Sequence, residues 1–403
     1  MPGNLLVLQS GGCTAVMNAS LAGVVGAGAT SPKVDRVLGS HQGILGVLRG
    51  EVFDLTEQAP PLDQLRRTPA ALLGSARHKL SDAELGQALD TLRKLDVRYF
   101  HVIGGNDSAD TGHRLAEAAA AVGYELNVVT VPKTVDNDLP ETDHTPGYGS
   151  AARFVAQTTM DAGRDTESIA TVDPVKILEV YGRDAGWLAA AAGLARHDEE
   201  DAPHLIYTPE RPFALDGFLD DVQRTYDRFG RAVVVVSEAL RDARGEYLRA
   251  DSSTLYVDSF GHRQLGGVAA ILCEAVAQRL NLKARYDKPG TIQRMLTACY
   301  SESDLAEAEM AGAHAVDLAT RGVTGQMVTL VRECDAPYRC GVGQAPLERV
   351  ANQVRYLPDG YLDGHAVTPA FRRYAEPLVG PLPRYPRLTK RWLTPSPGGR
   401  GPG

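Results

Sequence analysis

The sequence lacks the features of a membrane, secreted or nucleic-acid-binding protein. It has no run of about 18 apolar residues, so we expect no membrane-spanning helix. No basic segment opens the chain, and the apolar run 5–8 is too short for the core of a signal peptide. The formal net charge of −8 argues against a nucleic acid or a membrane surface as the partner, but not against a small anionic substrate.

Cysteine is also scarce. The five cysteines are an odd number and show no metal-ligand spacing. We therefore expect reduced thiols in a cytoplasmic protein and no disulfide framework. The 403 residues, 43% of them hydrophobic, are enough to bury one large core or two moderate ones.

Short apolar runs alternate along the chain with helical stretches. The run 5–8 ends in a glycine turn that precedes a helical stretch over 15–26, and the run 97–103 repeats this arrangement. Further apolar runs lie at 128–131, 175–180 and 232–236. Buried strands that alternate with helices predict an α/β fold, in which doubly wound parallel sheets flanked by helices form two lobes.

The sequence also suggests how these elements are divided. Residues 1–150 carry the glycine turns and most of the polar motifs, and we expect them to form one lobe, with 151–335 forming the other. From Tyr338 the chain becomes irregular and proline-containing. We predict a C-terminal extension over 336–394 and a disordered tail over 395–403.

Two strand-to-helix turns have the composition of anion sites. Gly11 and Gly12 allow backbone N–H groups to approach an anion, and the following helix dipole favours negative charge, although a simple left-handed turn explains the same pair. The turn 104–108 adds an amide, a carboxylate and a hydroxyl to two glycines. A helix cap needs only one such side chain, so the cluster favours a site for phosphate and magnesium.

A third polar turn follows the apolar run 128–131. Residues 132–138 include one lysine, two aspartates, an asparagine and a threonine. Hard oxygen ligands beside an ammonium group suit a magnesium-bound phosphoryl group, and a carboxylate near an acceptor hydroxyl can act as general base. Since the carboxyl ends of parallel strands share one edge of a sheet, we expect the polar turns to converge on one cleft.

Taken together, these motifs resemble the ordered signature of the phosphofructokinase family. The matching segments are 10–12, 104–108, 132–138 and 181–183. The resemblance implies a two-lobed phosphofructokinase-like fold, in which 1–150 binds the phosphoryl donor and 151–335 binds the sugar phosphate. It further implies a cytoplasmic, magnesium-dependent glycolytic enzyme that forms a homo-oligomer, most simply a homodimer.

The resemblance also gives roles to single residues. Asp136 matches the proton acceptor for the sugar 1-hydroxyl, and Asn106 stands where many relatives carry a magnesium-binding aspartate. The other positions matched to catalysis are Lys133, Asp107 and Arg183. Those matched to the donor are Gly11, Gly12, Arg77, Gly105 and Ser108. Those matched to the sugar phosphate are Thr134, Val135, Asp138, Tyr181, Gly182, Glu238, Arg285, Thr291 and Arg294.

Two of these positions indicate the donor. In the ATP-using branch of the family, glycines stand at the places of Asp107 and Lys133 and leave room for a nucleotide. The Asp107 carboxylate would repel the α-phosphate of ATP, and Lys133 would fill further space and pair with pyrophosphate. The resemblance therefore implies reversible transfer from inorganic pyrophosphate to fructose 6-phosphate, giving fructose 1,6-bisphosphate and phosphate.

Three alternatives stay open at this stage. The first is an ATP-dependent kinase of the same family, which Asp107 and Lys133 disfavour. The second is a non-catalytic regulatory homologue, which the intact Asp136 and Arg183 disfavour. The third is sedoheptulose 7-phosphate as the better acceptor, because a pocket that grips the phosphate tolerates a longer sugar.

Some positions depart from the family pattern. One family arginine is missing near Pro174, and Lys176 is a candidate to replace it. Thr291 stands where a histidine is common. The turn 258–262 also looks site-like, but a turn before a helix needs no function and we assign it none.

Overall fold

Residues 2–248 and 266–388 are described in the structure of the protein, a computed structural model. They contain two large sheets of mainly parallel strands flanked by helices, which confirms the predicted α/β class. The turn 258–262 and the predicted disordered tail 395–403 lie outside the described residues. No helix within the described ranges is both long enough and apolar enough to cross a bilayer.

The strands are numbered along the chain. They are β1 (Gly3–Gln9), β2 (Val34–Ser40), β3 (Val52–Asp54), β4 (Val97–Gly104), β5 (Asn127–Pro132), β6 (Val175–Val180), β7 (Leu205–Tyr207), β8 (Ala232–Ser237), β9 (Ala284–Asp287), β10 (Gln326–Asp335), β11 (Tyr338–Pro346), β12 (Leu362–Asp363) and β13 (Ala366–Val367).

The α-helices are α1 (Met17–Thr30), α2 (Ile44–Arg49), α3 (Leu55–Gln58), α4 (Leu62–Arg67), α5 (Asp82–Lys94), α6 (Asn106–Ala121), α7 (Tyr148–Ser168), α8 (Trp187–Ala191), α9 (Leu215–Phe229), α10 (Val268–Leu280), α11 (Glu302–Thr320) and α12 (Pro369–Val379). Short 3-10 turns occur at Ala192–Ala195, Gly290–Arg294, Thr297–Cys299, Leu347–Arg349 and Asp359–Tyr361.

The first sheet has seven strands in the order β11-β10-β5-β4-β1-β2-β3. Alternate residues of β1 point into two different cores. Leu5 and Val7 pack with α1 and α11, whereas Leu6 and Leu8 pack with α5 and α6. Helices on both faces explain why the central strands are apolar almost throughout. Because β1, β4 and β5 are parallel neighbours, their carboxyl ends lie side by side.

The second sheet has four parallel strands in the order β7-β8-β6-β9. Every residue of β6 and β8 is buried, as expected for the central strands of a covered parallel sheet. The last residues of these two strands, Val180 and Ser237, are paired. The segments that follow β6 and β8 therefore start next to each other.

The chain beyond residue 325 is more regular than the sequence indicates. The irregular structure predicted from Tyr338 is wrong, because β11 pairs with β10 and α12 follows. β11 contains two glycines and ends in a proline, so its pairing depends on β10 more than on its own propensity. Both strands belong to the first sheet, and the predicted boundary after residue 335 falls between them. The division into segments at 150 and 335 stays a prediction.

Candidate active site

The turn between β1 and α1 lies under three cationic side chains from distant parts of the chain. Gly11 adopts a left-handed conformation with φ of +77°, and a Cβ atom there would lie 3.3 Å from Lys133 Nζ. At Gly12 a Cβ atom would come within 2.8 Å of Arg294 Nη1, and Arg77 Nη2 would be 3.9 Å away. The Ala15 N–H donates to the Arg294 carbonyl over 2.8 Å, which ties the two segments together.

These cations are poised to hold an anion. Lys133 is only 4% exposed, and burial lowers the pKa of its ammonium group to about 8. The Nε of Arg294 is buried and has no hydrogen-bond partner among the described residues. Burying a charged donor without a partner is costly, so a bound anion would stabilise this arrangement.

The second glycine turn adjoins the first through Lys133, whose N–H donates to the Gly104 carbonyl over 3.0 Å. Asn106 begins α6, and its Oδ1 accepts from the Asp107 N–H at 2.9 Å. This bond leaves the second lone pair of the amide oxygen for a cation. The Ser108 hydroxyl packs against Gly104, where a Cβ atom would lie 2.1 Å from Ser108 Oγ. Gly105 is the residue immediately before α6.

The third turn, after β5, carries the paired carboxylates. The Asp136 N–H donates to Thr134 Oγ1 over 3.1 Å, which fixes the backbone between them. Burial raises the pKa of Asp136, although Arg183, Lys133 and other nearby cations act against it. Burial and the neighbouring Asp136 raise the pKa of Asp138. Two carboxylates in one cleft repel each other, and oxygen ligands of this kind suit Mg²⁺.

The second sheet supplies the opposite wall of the cleft. The Tyr181 N–H donates to Gln293 Oε1 over 3.0 Å, and the Glu238 N–H donates to the Val180 carbonyl over 3.0 Å. Burial and the proximity of Asp136 raise the pKa of Glu238 to about 8. The segments that follow β5 and β8 therefore lie within electrostatic range of each other.

Gly182 and Arg183 form a tight backbone turn at the end of β6. Gly182 has a φ of +141°, and a Cβ atom there would lie 2.5 Å from the Ala185 carbonyl oxygen. Arg183 has a φ of +48°, in the left-handed region that is uncommon for residues other than glycine. The turn brings the Arg183 guanidinium close enough to Asp136 to be the largest charge that lowers the pKa of that carboxyl.

Most of the residues matched to the family converge here, but some do not. Arg285 Nε pairs with Asp173 Oδ2 at 2.7 Å, near the start of β6. Arg285 is opposite Lys176 in the β6–β9 ladder, and five residues of strand from there to Tyr181 span about 16 Å. Lys176 itself pairs with Asp287 at 3.0 Å and so does not replace the missing arginine in this cleft. Thr291 is exposed.

Several residues that hold the site together were missed by the sequence reasoning. Gln293 is 2% exposed and links the 3-10 turn Gly290–Arg294 to Tyr181. Asn137 is fully buried, accepts from the Thr145 N–H at 3.1 Å and donates to the Tyr374 hydroxyl at 2.8 Å. An asparagine between two aspartates indicates a turn. The neighbouring sequence does not indicate that the partner of this asparagine is a tyrosine more than 200 residues further along the chain.

A buried ion-pair network supports the far end of the third turn. His144 is 1% exposed, with Nδ1 at 2.8 Å from Asp143 and Nε2 at 2.7 Å from Glu307. Burial disfavours the charged imidazole, but the two carboxylates outweigh it and raise the pKa of His144 to about 9. Arg332 pairs with Asp143 at 3.0 Å, and the Tyr338 hydroxyl donates to Glu307 at 2.6 Å.

The match to a family model covers the second sheet, strands β1 to β5 of the first sheet except Gly3, and all the polar turns. Residues 4–319 match the model described as "Phosphofructokinase". The chain belongs to the phosphofructokinase family. This confirms the resemblance drawn from the motifs, and the cleft described above occupies the family's matched region.

Other phosphofructokinases resemble the chain over nearly its whole length. It is 44% identical to the pyrophosphate–fructose 6-phosphate 1-phosphotransferase of Xanthomonas campestris pv. campestris (strain B100), over 94% of this chain and 91% of that protein. The protein of the same name from Halomonas elongata is 39% identical, over 93% and 91%. The crystal structure of the pyrophosphate-dependent phosphofructokinase from Marinobacter aquaeolei superposes with a TM-score of 0.85 at 36% identity, covering 96% and 94%.

Proposed function

We propose that this phosphofructokinase transfers a phosphoryl group from inorganic pyrophosphate to the 1-hydroxyl of fructose 6-phosphate. The products are fructose 1,6-bisphosphate and phosphate, and the reaction is reversible. The choice of donor rests on the position of Lys133. This lysine is buried, and its ammonium group lies 3.3 Å from the place that a Cβ atom at Gly11 would occupy. It fills space over the first glycine turn and supplies a positive charge opposite a small, highly anionic donor. The names of the relatives support the same donor.

The protein's own groups account for the transfer. Asp136 takes the proton from the 1-hydroxyl as the oxygen attacks the phosphoryl group. Lys133, Arg183 and Arg294 surround Asp136, so their charges are preorganised where negative charge develops. Lys133 also lies over the glycine turn that would hold the leaving phosphate, and so does Arg294, which the family resemblance matched to the sugar phosphate. We therefore assign Arg294 to the donor as well.

A divalent cation fits the same cleft. Asn106 and Asp138 would hold Mg²⁺ through oxygen ligands, and the ion would neutralise charge on the donor phosphates. The Asp136 carboxylate raises the pKa of Asp138, and a bound cation would favour the ionised form of Asp138. The donor set contains only oxygen ligands, which magnesium prefers to nitrogen or sulfur.

The acceptor is held from the second sheet. Tyr181, Gly182 and Glu238 line the wall opposite the catalytic turn, and Glu238 is placed to accept from the sugar hydroxyls. Arg285 projects from the edge strand β9, away from its own cleft, and is 55% exposed. We infer that it completes the sugar site of a second copy, so the enzyme is a homodimer. We further infer that the enzyme works in the cytoplasm.

A side-by-side donor assay tests the proposal. Purified enzyme with Mg²⁺ is given fructose 6-phosphate and either pyrophosphate, ATP or ADP, and sedoheptulose 7-phosphate is compared as acceptor. We expect turnover with pyrophosphate and little with ATP. Asp107→Gly should weaken the use of pyrophosphate and admit some ATP, because it removes a carboxylate from the path of the nucleotide. Efficient use of ATP by the unaltered enzyme would overturn the choice of donor.

A further inference from the structure

Arg355 reaches the catalytic turn from the C-terminal part of the chain, beyond the residues that match the family model. Its guanidinium donates to three backbone carbonyls of the segment 137–143. Nη2 donates to the Asn137 carbonyl over 2.8 Å, and Nη1 donates to the carbonyls of Thr142 at 2.7 Å and Asp143 at 2.6 Å. Nε makes a second, longer contact with Asn137 at 3.2 Å.

The position of Arg355 is itself fixed from two sides. Its backbone N–H donates to the Asp138 carbonyl over 2.7 Å, and its carbonyl accepts from Trp187 Nε1 at 3.1 Å. The guanidinium carbon lies 4.6 Å from the centre of the Trp187 ring, a cation–π contact. These contacts hold the guanidinium in one orientation. Its planar group can then donate to several carbonyls at fixed angles, which the single ammonium group of a lysine could not do.

The segment that Arg355 holds is a loop, so the hydrogen-bond patterns of a helix or a sheet do not stabilise it. Residues 133–147 belong to no helix or extended strand, and Asn137 has a φ of +56°. The carbonyls of such a loop need partners when they are buried, and Arg355 satisfies three of them at once. Asp136 and Asp138 lie on either side of Asn137, so any backbone movement at Asn137 would displace both carboxylates.

We propose that Arg355 is a positioning residue, which holds the turn bearing Asp136 and Asp138 in the geometry required for phosphoryl transfer. The C-terminal segment is therefore a working part of the active site, although it contacts no reacting atom. The effect on turnover rests on the proposed function, whereas the effect on the order of the turn does not. A displacement of the reacting groups by about 1 Å typically costs on the order of 100-fold in rate.

Arg372 offers a matched control. It also belongs to the C-terminal part, and its Nη2 donates to the carbonyls of Gly193 at 2.7 Å and of Arg196. Arg372 thus ties down another turn in the same way, but that turn carries none of the residues matched to the site. Arg372→Ala tests what the loss of such a clamp costs in stability alone.

The test compares Arg355→Ala, Arg355→Lys and Arg372→Ala by steady-state kinetics and by hydrogen exchange of the amides of 136–146. We expect Arg355→Ala to lower kcat on the order of 100-fold, and Arg355→Lys to lower it less. The KM for the sugar phosphate should change little. Amides of 136–146 should exchange faster in Arg355→Ala only. Free guanidinium should restore part of the turnover of Arg355→Ala, because the cavity retains the three carbonyls and the Trp187 ring.

Two outcomes would overturn the role of Arg355. One is a folded Arg355→Ala enzyme with normal kcat; the other is equal loss of kcat in Arg372→Ala at matched stability. If the wild type transfers from a donor other than pyrophosphate, the proposed function fails. The hydrogen exchange of 136–146 still decides the role of Arg355 in that case, because it requires no substrate.

Discussion

Arg294 Nη1 lies so close to Gly12 that a Cβ atom at residue 12 would come within 2.8 Å of it. The relationship joins the first strand-to-helix turn to a 3-10 turn of the second half of the chain. A side chain at residue 12 would have to push the end of the Arg294 side chain away from that turn. The glycine is thus explained by a contact between distant segments and not by its own φ angle.

Gly12→Ala should therefore displace Arg294 and weaken the hold on the donor. Losing a charge-assisted hydrogen bond costs about 1.5–3 kcal/mol, so we expect kcat/KM for pyrophosphate to fall about 10- to 100-fold. Gly86→Ala is the control, because Gly86 is exposed in α5 with open space around it. Normal use of pyrophosphate by Gly12→Ala would show that Arg294 does not act on the donor.

Asp136→Asn removes the proposed general base without changing the shape of the turn. Loss of a positioned base typically lowers the rate on the order of 100- to 10,000-fold, and we expect kcat to fall within that range. Affinity for fructose 6-phosphate, measured by equilibrium binding, should stay within a small factor. The assignment fails if the variant turns over at a rate close to that of the wild type.

A shared sugar site would reveal itself by complementation. Arg285 is opposite Lys176 near the start of β6 and far from the cleft of its own chain. Asp136→Asn and Arg285→Ala should each be inactive alone, yet mixed dimers should regain part of the activity, because one of their two sites combines an intact Asp136 with an intact Arg285. Purified mixed dimers without recovered activity would count against the shared site.

His144 makes the stability of the protein depend on pH. Its pKa is raised from 6.5 to about 9 by Asp143 and Glu307 against the effect of burial, so the folded state binds the proton more tightly than the unfolded state. Its contribution is fully present below about pH 6.5 and is lost as the pH rises towards 9.

Urea unfolding at a series of pH values measures this dependence. The free energy of unfolding of the wild type should fall between pH 6.5 and 9, and His144→Gln should show a shallower fall, because an amide does not titrate in this range. Arg332, Tyr338 and Cys340 surround the same carboxylates, so the comparison with the variant isolates the part due to His144. Identical slopes would contradict the assignment.

The sequence by itself determined the class of fold, the family and the polar turns that make the cleft. Apolar runs that end in glycine or in Pro132 mark buried parallel strands, and side chains at such strand ends must meet at one edge. Local chemistry was enough to mark the turn 132–138 as a candidate phosphoryl site, and the resemblance to the family singled out Asp136 and Lys133 within it.

Only the tertiary structure decided how these residues are held and charged. Arg355, Gln293 and Arg294 act through contacts with residues far away in the chain, and no local pattern specifies such partners. The raised pKa of Glu238 likewise comes from burial and from Asp136 on another strand. The regular structure after Tyr338 was missed because β11 forms by pairing with β10. Pairing, burial and electrostatic proximity are properties of packed segments, and they exist only once the chain has folded.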